Sequence, residues 1–139
     1  MILARYSAVL GFVLGLAVAP QMRAQSLDYG YYKSHVEPFF LKKREGHARC
    51  VVCHSASNSA FKLQPLNPGS TSWTDEQSQK NFEVVSLLVV PGDPAASTLL
   101  IHPLAPESGG DKFHGGGRQF PSKQDPDWQM IAGWVKGAK

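Results

Sequence analysis

Apolar side chains recur at Tyr32, Val36, Phe39 and Phe40, the i, i+4, i+7, i+8 rhythm of one helix face, and predict a helix over 28–44. Pro38 within it predicts a kink or break. Gly46 ends it, with Lys42, Lys43 and Arg44 in a last turn where cations suit the helix dipole. Thr74-Asp75-Glu76-Gln77 has the form of a capping box. The helix it opens carries Asn81, Phe82, Val84, Val85 and Leu88 and is broken by Pro91-Gly92-Asp93-Pro94. A short helix is expected over 95–101. Asp125 caps a final helix with Pro126 at its first position, and Trp128, Ile131, Trp134 and Val135 form its apolar face. Between these lie two predicted loops, 55–73 with apolar Phe61, Leu63 and Leu66, and a Gly-rich stretch over 103–123. Every element read is a helix, so the expected class is all-α.

The start of the chain follows a different pattern. Arg5 precedes an apolar run from Ala8 to Ala19, and the small residue Ala24 sits where a peptidase would cut. The expected organisation is a signal peptide over 1–24 and one domain over 25–139, placed in the periplasm or secreted. An uncleaved anchor is the alternative, although the run is short of the roughly 20 residues of a spanning helix. No cysteine follows the run to carry a lipid. Cleavage removes two of the 14 basic side chains and none of the 11 acidic ones, leaving a net charge of about +1. That balance excludes a nucleic-acid binder with a clustered basic stripe. Lys42, Lys43 and Arg44, with Arg49 nearby, read as a solvated helix end or at most a docking patch for an acidic partner. With 139 residues and two cysteines, the chain is neither a multidomain enzyme nor a disulfide scaffold.

Those two cysteines stand in Cys50-Val51-Val52-Cys53-His54, the C-x-x-C-H spacing of covalent haem attachment. Two thiols three positions apart on a helical turn can each add to a haem vinyl group. The adjacent His54 then offers its imidazole to the iron. A thioredoxin-like redox pair would need a βαβ context, and a zinc site would need two further ligands at suitable spacing. An export signal agrees with haem attachment, which takes place outside the cytoplasm.

Several segments carry a family resemblance: Val36-Glu37-Pro38-Phe39-Phe40, Arg49-Cys50-Val51-Val52-Cys53-His54, Pro91-Gly92-Asp93-Pro94, Ser97-Thr98-Leu99-Leu100, and Ile131 to Ala138 around Trp134. Together they resemble the monohaem class I cytochrome c domains of planctomycete and acidobacterial secreted proteins. The resemblance covers nearly all of the chain after the signal segment. It implies a small cytochrome c fold, with first and last helices crossing near Gly133 and one covalent haem c, with its Fe, between them and the Gly-rich loop. In that family the distal iron ligand is usually a Met on the loop before the last helix. Here the place holds His114, twenty residues before Trp134, which departs from the pattern and suggests bis-His ligation by His54 and His114. His102 and Met130 are the alternative sixth ligands. His35 and His47 read as surface positions, and Arg118, Lys112 and Trp73 as candidates to reach a haem propionate.

The function this implies is electron transfer in the periplasm, with no substrate turned over by the protein alone. A bis-His iron lacks the thioether that raises the potential of His/Met cytochromes, so a lower-potential carrier is expected. Partners would be redox proteins, including a respiratory or photosynthetic membrane complex. A haem-based gas sensor with a displaceable distal ligand is the second reading. A small peroxidase, using His114 and Arg118 over a bound peroxide, is the third.

Overall fold

The computed structural model describes residues 26–139, so the predicted signal segment lies outside the described residues. The class is all-α: five helices, one short 3₁₀ turn and no strand beyond two isolated bridges among the described residues. None of these helices is long and apolar enough to cross a membrane.

The first helix, α1, is continuous but not uniform. An α-helical turn, Tyr29–Tyr31, leads into a π-helical segment, Tyr32–Val36, and then into α-helical Glu37–Leu41. Asp28 caps it, its side chain accepting from the Tyr31 N–H. The π segment is the structure's answer to Pro38. A proline ring clashes with the carbonyl four residues back and supplies no N–H. The wider turn instead lets the Glu37 N–H reach the Tyr32 carbonyl. A kink or break was the expectation, and the helix absorbs the proline by widening. All four residues of the predicted face, Tyr32, Val36, Phe39 and Phe40, are buried.

The helix stops at Leu41, three residues early, because Lys42 turns into extended backbone. The three cations therefore occupy neither a last helical turn nor a free docking patch. Lys42 Nζ reaches Asp127 at 2.8 Å, Arg44 pairs with Asp125 and Asp127 at 2.5 Å each, and Lys43 Nζ donates to the His47 carbonyl at 2.8 Å. Burial by itself raises the Asp125 carboxyl, but the Arg44 guanidinium outweighs it and holds the group below the usual range. The chain entering α2 (Cys50–His54) is thus pinned to the start of the last helix.

After the loop comes α3 (Asp75–Ser86), opened by the predicted capping box: Thr74 Oγ1 accepts from the Gln77 N–H and Gln77 Oε1 from the Thr74 N–H. The predicted helix over 95–101 is only α4 (Thr98–Ile101). Its missing first turn is taken up by Ser97, whose hydroxyl donates to the Asp93 carbonyl at 2.7 Å and accepts from the Val90 N–H at 3.0 Å. The last helix, α5 (Pro126–Val135), has Asp125 as its cap and Pro126 at its first position, and it buries Trp128, Ile131, Trp134 and Val135 as the pattern predicted.

First and last helices do pack together, and aromatic rings carry the contact. Tyr32 and Trp134 lie 5.7 Å apart between centroids, and Trp134 Nε1 donates to the Asp28 carbonyl at 2.9 Å. Gly133 is not the point of close approach expected of it. A side chain there would meet only the Ala138 methyl, at 4.0 Å.

Candidate functional site

Three segments far apart in sequence enclose an apolar cavity of about 270 Å³: α2, the start of the 55–73 loop, and the Gly-rich loop before α5. Cys50, Cys53, His54, His102 and His114 all line it, and Phe39, Phe40, Leu99 and Ile131 supply apolar wall from the helical core. Of the loop residues expected to cover it, Phe61 does so, with its ring 4.3 Å from that of His54. Leu63 is instead buried in the general core and Leu66 packs at its edge.

The cysteine sulfurs are free thiols, Cys50 half-buried and Cys53 exposed. Burial pushes the Cys50 thiol up to about 11. A redox-active Cys-x-x-Cys pair needs the opposite shift, toward thiolate. With no strand in the described residues to make a βαβ unit, the thioredoxin-like alternative loses both of its requirements.

His54 Nδ1 donates to the Phe61 carbonyl at 2.8 Å, and His114 Nδ1 donates to the Gly117 carbonyl at 2.5 Å. A carbonyl can only accept, so each Nδ1 carries the proton and each Nε2 is left with a free lone pair. This is the orientation a backbone carbonyl imposes on metal-ligating histidines. Burial lowers the pKa of both rings, which keeps them neutral at pH 7, the form that ligates. Their centroids lie 6.4 Å apart with planes inclined by 21°. Two imidazoles on opposite sides of one metal ion, with metal–nitrogen bonds of about 2.0 Å, hold their centroids roughly 6.3 Å apart. Among the described residues no three His, Cys, Asp or Glu side chains converge to hold an ion unaided. Apolar walls, paired thiols beside one imidazole and a second imidazole opposite are a donor set that can hold haem c, so the residues fit the group.

The other candidates separate cleanly. His102 lines the cavity beside His114, with centroids 5.0 Å apart and planes at 89°, while its Nδ1 is held by Asp111 at 2.8 Å. Met130 is half-buried in α5 and is not part of the cavity wall, where its neighbour Ile131 stands. His35 stacks on Tyr31 at the surface, as expected. His47 is not a bare surface residue: it lies against Gly117, where an added Cβ would come within 2.9 Å of its Nδ1. Trp73 is not part of the cavity wall, and its indole N–H donates to the Gln64 carbonyl at 2.7 Å. Arg118 Nη1 donates to the His102 carbonyl at 3.3 Å, and Lys112 is exposed.

Two residues escaped the sequence reading. Arg49, read only as part of a basic patch, lines the cavity. Buried Gln119 donates to the Ala48 carbonyl at 3.1 Å and the Gly116 carbonyl at 3.4 Å, tying the His114 loop to the chain just ahead of Cys50. A lone Gln after a glycine run offers no periodic or motif signal. Comparison with known protein families, with curated proteins and with solved structures finds no match for this chain.

Proposed function

We propose that this protein is a monohaem c-type cytochrome of class I fold that carries electrons outside the cytoplasm. The observation that supports it best is the pairing of His54 and His114 across an apolar cavity whose rim bears both cysteines of the C-x-x-C-H motif. Cys50 and Cys53 would hold the haem covalently, and His54 and His114 would ligate its iron. Bound there, the iron supplies a one-electron couple.

The chain's own residues do the rest. The Phe61 and Gly117 carbonyls orient the two imidazoles, and Phe39, Phe40 and Phe61 supply the apolar aromatic wall beside them. Val52, between the cysteines, and Phe113, beside His114, are apolar yet 53% and 77% exposed. Such residues suit transfer through an exposed cofactor edge to a docked redox protein or membrane complex. No substrate is converted by the protein alone.

A gas-sensing module is the second reading, favoured by the setting of His114 on a loop of three consecutive glycines, which can move with little cost. Expression in a periplasm equipped for haem attachment tests both. The carrier reading expects a covalent haem by mass and a low-spin reduced spectrum unchanged by carbon monoxide. A spectrum that shifts readily with the gas would give the sensor the lead, and a chain without attached haem would overturn both.

A further inference from the structure

The third histidine of the cavity, His102, has no place in the ligand pair, yet its setting is built. Asp111 holds its Nδ1 at 2.8 Å, Arg118 holds its carbonyl at 3.3 Å, and α4 ends on it. Its ring meets that of His114 edge to face, at 5.0 Å and 89°. No hydrogen bond joins the two rings, and none is needed. The His114 Nδ1 is already committed to Gly117, and its Nε2 is the nitrogen left for a metal. The Gly117 carbonyl orients the His114 ring, but it belongs to a glycine loop, so the ring plane is held only as firmly as that loop is. A flat group set at right angles to that plane blocks its rotation. Edge-to-face packing is also the arrangement that aromatic quadrupoles favour.

We propose that the His102–Asp111 pair is a brace that fixes the ring plane of His114, and so its near-parallel orientation to His54. This rests on the bis-His haem reading. His102 is then a positioning residue and not a ligand. Relative to an imidazole held by its loop alone, the brace would hold one orientation of the ligand planes. It would also slow the departure of His114 from the iron.

Electron paramagnetic resonance of the oxidised holoprotein reads ligand-plane orientation directly: near-parallel imidazole planes give a rhombic low-spin signal, and perpendicular planes a strongly axial one. The wild type is expected to be rhombic. His102→Ala and Asp111→Ala should each shift the signal toward the axial form, and should speed carbon monoxide binding to the reduced protein by roughly threefold to tenfold, the worth of one aromatic contact. His102→Phe keeps a flat ring with no metal-binding nitrogen, so it should stay low-spin and rhombic. A rhombic signal unchanged in His102→Ala would overturn the brace while leaving the bis-His reading intact. A high-spin His102→Phe would mean that His102 itself ligates the iron, overturning both the brace and the assignment of His114. A wild type without covalent haem would overturn the underlying reading and the brace with it.

Discussion

Glu37 is buried on the inner side of α1, with one carboxyl oxygen accepting from the Ser78 hydroxyl at 2.8 Å and the other without a partner. Burial raises its pKa, and Asp75 adds to the rise. The Ser78 and Asn81 side chains and the Lys33 ammonium oppose it without cancelling it. A carboxyl with a raised native pKa binds its proton more tightly folded than unfolded, so stability falls as pH climbs from the ordinary value of 4.5 through the raised one. Glu37→Gln keeps the shape and the Ser78 bond but cannot ionise. Its urea midpoint should match the wild type at low pH, pull ahead through that window, and keep a constant lead above it. A lead that did not grow with pH would show that Glu37 titrates normally. Gly110 makes a sharper case at the same scale. A Cβ there would sit 2.0 Å from the Leu104 carbonyl oxygen, which is backbone and cannot swing aside. Gly110→Ala should therefore cost about 2–3 kcal/mol in chemical denaturation. It should also disturb the Leu104–Phe120 bridge that closes the loop carrying His114.

At the scale of the element, local chemistry that lies within a few residues was legible, and long-range chemistry was not. The Thr74–Gln77 box is complete in four residues, and its prediction follows directly: Thr74→Ala should destabilise the protein by about 1 kcal/mol, read as a lowered thermal midpoint with an unchanged absorption spectrum. Asp125 and Pro126 marked the start of α5 for the same reason. The early end of α1 depends instead on partners more than eighty residues away, Asp125 and Asp127, which no window around Lys42 contains. The π turn lies between these cases. Pro38 announced a disturbance, but whether a helix kinks or widens is decided by the packing of Tyr32 and Val36 on either side of it. The site divides in the same way. Cys50, Cys53 and His54 are one contiguous motif. The facing wall of the cavity is assembled by a loop about sixty residues on, so sequence could favour His114 over His102 and Met130 only through its place in the resembled family, not through a local motif.

Across the whole molecule, the segment that leads into the C-x-x-C-H motif is held from two directions. Gln119 ties Ala48 to the loop that carries His114, and Arg44 ties the preceding turn to the start of α5, with its guanidinium carbon 5.9 Å from the Phe120 ring centre. The Arg44 and Asp125 side chains are only 18% and 6% exposed, so solvent screens the pair little. Removing the cation leaves a buried carboxylate with only the Asp127 and Trp128 N–H groups as donors. Arg44→Ala should accordingly destabilise the fold by about 2–4 kcal/mol. The loss should depend on pH with a sign opposite to that of Glu37. Because the native pKa of Asp125 is depressed, the wild type holds this stabilisation above the ordinary carboxylate value of 3.8 and gives it up as pH falls through the native one. Arg44→Ala and wild type should therefore converge in acid and diverge toward neutrality. Since Phe120 follows Gln119, loosening Arg44 should also loosen the loop that carries His114, and under the proposed haem function the variant holoprotein should bind carbon monoxide faster than the wild type. Equal stability at pH 7 would place the fold's support elsewhere. A stability loss with no change in gas binding would confine Arg44 to folding and separate it from the site.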